Sequence, residues 1–231
     1  MLSPLIIALD TQTDLDAIKL VEQTGDHVDI YKIGPGLFYK YGRGITDKIR
    51  KLGKKVFLDL KLHDIPNTVE LAVNLLEDLN IYSLTIHLSG GEDMLKRALS
   101  AKSRPKIWGV SVLTSFDDSQ LKTLGINGGV KNQVKRLVEI GLKNNIDGIV
   151  LSPLELEDAA ELRSKYRADT KFITPGIRLE DSDIKSEDQK RTSTPKKARE
   201  RGADFLVIGR PVIKSEDPKK TVEQIIKALK E

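Results

Sequence analysis

An α/β chain folded as a (β/α)8 barrel is what this sequence predicts, and three observations predict it. Short apolar runs alternate with longer helical stretches eight times along the chain. The length of 231 residues suits one such barrel, which commonly takes about 250 residues in a single domain. Charged and polar residues gather where the apolar runs end, the rim at which these barrels carry their sites. An open doubly wound sheet is the alternative, but the Gly-x-Gly-x-x-Gly turn that would favour it is absent after the first strand. No linker, internal repeat or low-complexity tract interrupts the alternation, so one domain over residues 1–231 is expected.

The first strand is Leu5–Leu9, ending at Asp10. Thr13 is a suitable N-cap for a helix over Asp14–Gln23. Val28–Ile33 is the second strand, Gly34-Pro35-Gly36 turns the chain, and a helix follows over Leu37–Leu52. The third strand is Lys55–Leu60. The helix after Pro66 carries Val69, Leu71, Ala72, Leu75, Leu76 and Leu79 at the spacing of an apolar stripe. Tyr82–His87 is the fourth strand, with a helix over Glu92–Ser100. The fifth strand, Lys106–Leu113, leads into a helical stretch broken near Gly125–Gly129 and resumed through Asn144. Gly148–Leu151 is the sixth strand, with a helix after Pro153. Lys171–Thr174 is the seventh. The Pro175–Thr194 segment then runs for about twenty residues without apolar periodicity. A helix over Pro195–Arg201, a strand over Asp204–Ile208 and a helix over Pro218–Leu229 close the chain.

Composition narrows the function classes. Apolar residues make up 39% and charged residues 31%, a soluble globular balance. Apolar runs of a few residues are far too short to span a bilayer, and the N-terminus lacks the basic region of a signal peptide, so no membrane partner is expected. With no cysteine there is no disulfide, thiolate nucleophile or cysteine-ligated metal, and a reducing cytoplasm fits. The net charge of +4 and 5% aromatics argue against a nucleic-acid partner, which would need a denser basic cluster interleaved with stacking rings. The histidines His27, His63 and His87 show no metal-ligand spacing, so no metal site is expected, and no serine sits in a Gly-x-Ser-x-Gly context.

The chemistry centres on the third strand. Side chains alternate along a strand, so Asp59 and Lys61 share one face while Leu58 and Leu60 share the other. A charge on a buried face is costly unless paired, and these two can pair. Alone, the pair is equally a structural ion pair at a strand end. It has company, however: Asp10 ends strand one, Lys32 lies on strand two, and Asp64 follows strand three. His87 and Thr114 end strands four and five. At strand eight, Gly209 lets backbone approach a ligand closely and Arg210 can grip an oxyanion with two hydrogen bonds. Barrels often hold phosphate there, although a turn with a solvated arginine is the plainer alternative. The Pro175–Thr194 segment has the length of a lid and offers Arg178, Gln189 and Arg191 as phosphate donors.

These residues carry a resemblance. Asp59-Leu60-Lys61-Leu62-His63-Asp64-Ile65-Pro66-Asn67-Thr68 is similar to the signature of the orotidine 5′-phosphate decarboxylase family. Thr174-Pro175-Gly176-Ile177-Arg178 followed by Asp188-Gln189 and Arg191 resembles its phosphate lid, and Phe205–Pro211 its strand-eight phosphate site. The Asp-x-Lys-x-x-Asp core alone is shared with related sugar-phosphate barrels. Glu187 and Lys190 depart from the family's usual lid residues. The resemblance implies conversion of orotidine 5′-monophosphate to uridine 5′-monophosphate, without a cofactor, in a homodimer whose sites lie at the interface. It implies that Lys61 protonates the C6 carbanion, with Asp59 and the partner's Asp64 beside it. Lys32 completes the charged row. Asp10 and Lys32 would hold the ribose, and Thr114 the pyrimidine. Ile65, Thr68 and Pro175 would line the substrate, and Arg178, Gln189, Gly209 and Arg210 would hold its phosphate. A magnesium-dependent sugar-phosphate enzyme and a non-catalytic uridine-phosphate sensor are the competing classes.

Overall fold

Eight parallel strands close into a barrel in chain order, with β8 returning to β1. The computed structural model describes residues 2–179 and 191–229. The strands are β1 Leu5–Ala8, β2 Ile30–Ile33, β3 Lys55–Leu62, β4 Ser83–His87, β5 Lys106–Val110, β6 Gly148–Val150, β7 Lys171–Thr174 and β8 Phe205–Ile208. The helices, in order, are α1 Asp14–Thr24, α2 Pro35–Tyr41, α3 Arg43–Lys51, α4 Pro66–Leu75, α5 Gly91–Ser100, α6 Asp118–Thr123, α7 Gly129–Lys143, α8 Leu156–Tyr166, α9 Pro195–Glu200, α10 Arg210–Ile213 and α11 Pro218–Ala228. The (β/α)8 architecture expected from the sequence is the one observed. None of the described helices is long and apolar enough to cross a membrane.

Two apolar layers follow from the alternation of strand side chains. Outward-facing residues such as Leu5, Ile7, Tyr31, Leu58 and Leu84 pack against the helices. Inward-facing Ile6, Ala8, Ile30, Phe57, Trp108, Ile173 and Val207 fill the barrel floor. There Phe57 meets Trp108 edge-on, with ring centroids 4.5 Å apart. Gly148 admits the indole, since a Cβ at that position would lie 2.6 Å from Trp108. With the floor filled, a ligand can enter only from the strand C-terminal end.

Several boundaries differ from those the sequence suggests, each for a local reason. The helix expected over Leu37–Leu52 is two helices, because Gly42 adopts φ 52° between them. β3 runs two residues further than expected, to Leu62, and β5 ends earlier, at Val110, leaving Val112–Thr114 in the loop. A one-turn helix, α10, follows directly on Gly209. The apolar stripe of the helix after Pro66 is only partly a core stripe. Val69 and Val73 are buried, whereas Leu71 and Leu75 are 59% and 72% exposed.

Candidate active site

Along each inward face the residues change from apolar to polar towards the mouth. Ile6 and Ala8 give way to Asp10, Ile30 to Lys32, and Phe57 to Asp59 and Lys61. Asp10, Lys32, Asp59 and Lys61, with Ala8 and Phe57 below them, line a cavity of about 480 Å³, together with Thr114, Ser152, Pro175, Gly176, Arg178, Gly209 and Arg210. That is within the usual size of a small-molecule site. Because the strands close in order, the ends of β7 and β8 face those of β3 and β4 across the mouth. The Asp59 and Lys61 end of the charged row therefore stands across the mouth from the two arginines, while its Asp10 end adjoins β8, the strand that leads into Arg210.

The row alternates in sign. Lys32 Nζ is 3.1 Å from Asp10 Oδ1 and 3.6 Å from Asp59 Oδ2. Lys61 Nζ donates to the same Asp59 oxygen at 2.8 Å, and the Thr85 hydroxyl donates to Asp59 Oδ1 at 2.9 Å. Burial pushes the Asp59 carboxyl up, but Lys32, Lys61 and these hydrogen bonds outweigh it and hold it below the usual range. Asp59 is thus a buried carboxylate kept ionised between two ammonium groups.

Lys61 itself sits at φ 52°, a region costly for a residue with a side chain. The β3–β4 register explains why. Leu58 pairs with Leu84 and Leu62 with Ile86, so β3 spends four steps where β4 spends two. A slip of two residues keeps every side chain on its face. Asp59 and Lys61 consequently both reach the cavity, as simple alternation predicts, despite the bulge.

Asp64, Ile65 and Thr68 are not brought to this cavity within one chain. All three are exposed, and Asp64 Oδ1 accepts a hydrogen bond from the Ile65 amide at 2.7 Å. Gln189, with Glu187 and Lys190, lies outside the described residues. Arg191, expected among the phosphate donors, points elsewhere. It is buried, pairs with Glu155 at 2.5 Å, and donates to the carbonyls of Val112 and Leu113 at 3.2 and 2.8 Å. Its guanidinium ties together the loops that follow β5, β6 and β7. Burial pushes the Glu155 carboxyl up, with Arg191 opposing.

Two residues at the site went unnoticed in the sequence, Thr85 and Glu155. Thr85 had a signal: it is polar on the inward face of β4, between outward-facing Leu84 and Ile86. Glu155 had none, being one of many acidic residues near a helix start. His87 stands beside His63, with ring centroids 5.3 Å apart. Burial, then His63 and Lys61, lower its pKa. Among the described residues no three His, Asp or Glu side chains are grouped to hold a metal ion.

Fold and mouth together define the class: a (β/α)8 enzyme whose strand ends carry a charged row. The chain belongs to the orotidine 5′-phosphate decarboxylase / HUMPS family, whose model matches residues 3–225. It is 44% identical to the orotidine 5′-phosphate decarboxylase of Ehrlichia chaffeensis over 230 residues, covering 98% of this chain and 97% of that one. It is also 44% identical to the enzyme of that name from the Wolbachia of Brugia malayi, over 99% of this chain and 100% of the other. A crystal structure of orotidine 5′-phosphate decarboxylase from Lactobacillus acidophilus superposes with a TM-score of 0.84 at 33% identity, covering 99% and 100% of the two chains. The protein is accordingly an enzyme of the carboxy-lyase class.

Proposed function

We propose that this chain decarboxylates orotidine 5′-monophosphate to uridine 5′-monophosphate, the UMP-forming step of pyrimidine biosynthesis, without a cofactor and with Lys61 as proton donor. The observation that carries the proposal is Asp59, buried and ionised between Lys32 and Lys61 at the cavity wall. The phosphate would be held by Gly209, Arg210, Arg178 and Gln189. Asp10 and Lys32 would hold the ribose hydroxyls, and Thr114 with Pro175 the pyrimidine side.

In this scheme the bond from C6 to the carboxylate breaks, CO2 leaves, and the electron pair remains on C6. The ring offers no obvious sink for that pair. A fixed cation where the charge develops is then the most effective stabiliser, since it needs no reorganisation during the reaction. Lys61 Nζ supplies the cation and then its proton, and solvent returns a proton to the amine. Asp59 would face the substrate carboxylate. At about 4 Å and an effective dielectric near 20, two such charges repel by roughly 4 kcal/mol. Contacts to the remote phosphate can offset this. The stabilisation by Lys61 is the primary effect and the repulsion a secondary one.

The site is proposed to be completed in a homodimer. Asp64, Ile65 and Thr68 reach nothing in their own cavity, and they adjoin Leu71 and Leu75. With Ile65 at 66% exposure, this is an apolar strip beside an exposed carboxylate. A second copy seated there would bury the strip and bring its Asp64 to Lys61.

The test is ultraviolet absorbance of purified protein mixed with orotidine 5′-monophosphate, with and without EDTA. Loss of the orotate band that is indifferent to EDTA is expected. Binding without turnover, or turnover abolished by the chelator, would overturn the proposal.

A further inference from the structure

In the β3–β4 ladder three residues of β3, Asp59, Leu60 and Lys61, stand opposite the single residue Thr85. Lys61 is therefore off the regular parallel ladder, and its amide needs another acceptor. The Thr85 hydroxyl supplies it: Lys61 N–H donates to Thr85 Oγ1 at 2.9 Å. The same hydroxyl spends its one hydrogen on Asp59 Oδ1, also at 2.9 Å. Thr85 is fully buried and does not line the cavity, so it touches neither solvent nor a ligand there.

We propose that Thr85 is a positioning residue for the decarboxylation assigned above, its hydroxyl pinning the backbone of Lys61 and the carboxylate of Asp59 in one geometry. The assignment rests on that proposed reaction. One oxygen closes a loop that runs from Lys61 N through Thr85 Oγ1 to Asp59 and back through the 2.8 Å contact to Lys61 Nζ. Both ends of the lysine are thereby fixed to the same carboxylate. The unfavourable φ of Lys61 is the kind of conformation that persists only where neighbours over-determine it, and this hydrogen bond is the local restraint. A β-branched side chain suits the task, because its χ1 is stiff and the hydroxyl cannot swing away.

Valine matches threonine in shape and lacks both bonds, so T85V is the direct test. Its kcat for orotidine 5′-monophosphate should fall by about 100-fold, the scale of an ångström-sized misplacement at a reacting centre. Affinity for uridine 5′-monophosphate, measured by calorimetry, should stay within about 2-fold, since the binding residues are untouched. T85S should restore most of the rate. The acid limb of the T85V kcat profile should move to higher pH, because the Asp59 carboxylate loses a hydrogen bond that favours its charged form. A merely structural role would produce neither that displacement nor a kcat loss without a binding loss. Wild-type turnover with an undiminished T85V kcat, or T85V losing affinity in step with rate, would overturn the inference alone. No turnover by the wild-type chain would overturn the decarboxylase proposal and this one with it. If T85V does not fold, T85A removes the same hydroxyl without adding bulk and decides the question by the same readouts.

Discussion

Two buried carboxylates stand at the same end of the barrel, and their surroundings differ in kind. Asp59 has two ammonium partners, Lys61 at 2.8 Å and Lys32 at 3.6 Å, and its row stays open where the Lys61 side chain keeps 33% of its surface. Glu155 has one cation, Arg191 at 2.5 Å, which is also engaged by the Val112 and Leu113 carbonyls. The first cluster faces a cavity and can still accept an anion. The second is closed. A closed buried pair contributes little net stability against an apolar replacement, but it fixes the relation of the segments it joins. Here those segments are the loops after β5, β6 and β7, which carry Thr114, Ser152 and Arg178 to the cavity. Burial and opposite charge are present in both clusters. What separates the two is that a cation of the first keeps exposed surface at the cavity, while that of the second is taken up by a carboxylate and two carbonyls.

The sharpest way to break this comparison is to remove the open cation. Lys61→Ala should lower kcat by roughly 10⁴-fold or more, combining loss of a positioned acid with loss of charge stabilisation at the carbanion. Binding of uridine 5′-monophosphate should survive, because the proposed phosphate and ribose contacts lie on other residues. Stopped and steady-state decarboxylation assays check the first point and calorimetry the second. A kcat within ten-fold of the parent would remove Lys61 from the centre of the chemistry.

The closed pair should respond in stability rather than in rate. Arg191→Met leaves Glu155 buried beside an apolar chain, and breaking one side of such a pair costs about 3–5 kcal/mol. Urea unfolding measures this directly. The double replacement of Glu155 and Arg191 by Leu and Met should regain most of the loss, since no uncompensated charge remains. In the single variant kcat, measured well below the melting transition, should fall far less than in Lys61→Ala. A rate loss comparable to that of the lysine variant would erase the distinction between the clusters.

The fold was legible because the apolar runs carry their own period and β-strand alternation sets which side chains turn inward. That rule put Asp59 and Lys61 on one face, and it survived the bulge because the slip is two residues and not one. It could not reveal the strained φ of Lys61 or the acceptor that Thr85 provides, since register between strands is a tertiary property. Gly42 split a helix whose apolar spacing runs straight through it, because periodicity does not register a single left-handed residue. Arg191 shows the opposite limit. A donor-rich segment suggests a phosphate grip, yet which arginine turns inward is decided by a carboxylate thirty-six residues away in the chain. Asp64, Ile65 and Thr68 belong to a motif whose residues separate in space within one chain, which contiguity in sequence does not reveal.

The smallest expected effect is a difference of sign in the pH dependence of stability. The folded-state pKa of Asp59 is depressed below its ordinary 3.8. Its contribution is therefore complete above that value and is lost as pH falls through the lower folded pKa. Glu155 is raised above its ordinary 4.5, with burial as the largest cause. Between 4.5 and the raised value the folded protein holds more protons than the unfolded chain, so stability declines as pH rises through that interval. Glu155→Gln should flatten this decline, whatever constant destabilisation it brings by leaving Arg191 with carbonyls alone. Asp59→Asn should instead flatten the loss at the acid end. Urea midpoints of the two variants and the parent, taken across the acid range, compare slopes rather than absolute values. Parallel curves for Glu155→Gln and the parent would mean that Arg191 cancels the effect of burial and leaves the folded pKa at its unfolded value. A parent that loses stability towards acid relative to Glu155→Gln would mean instead that Arg191 holds Glu155 ionised, as Lys32 and Lys61 hold Asp59.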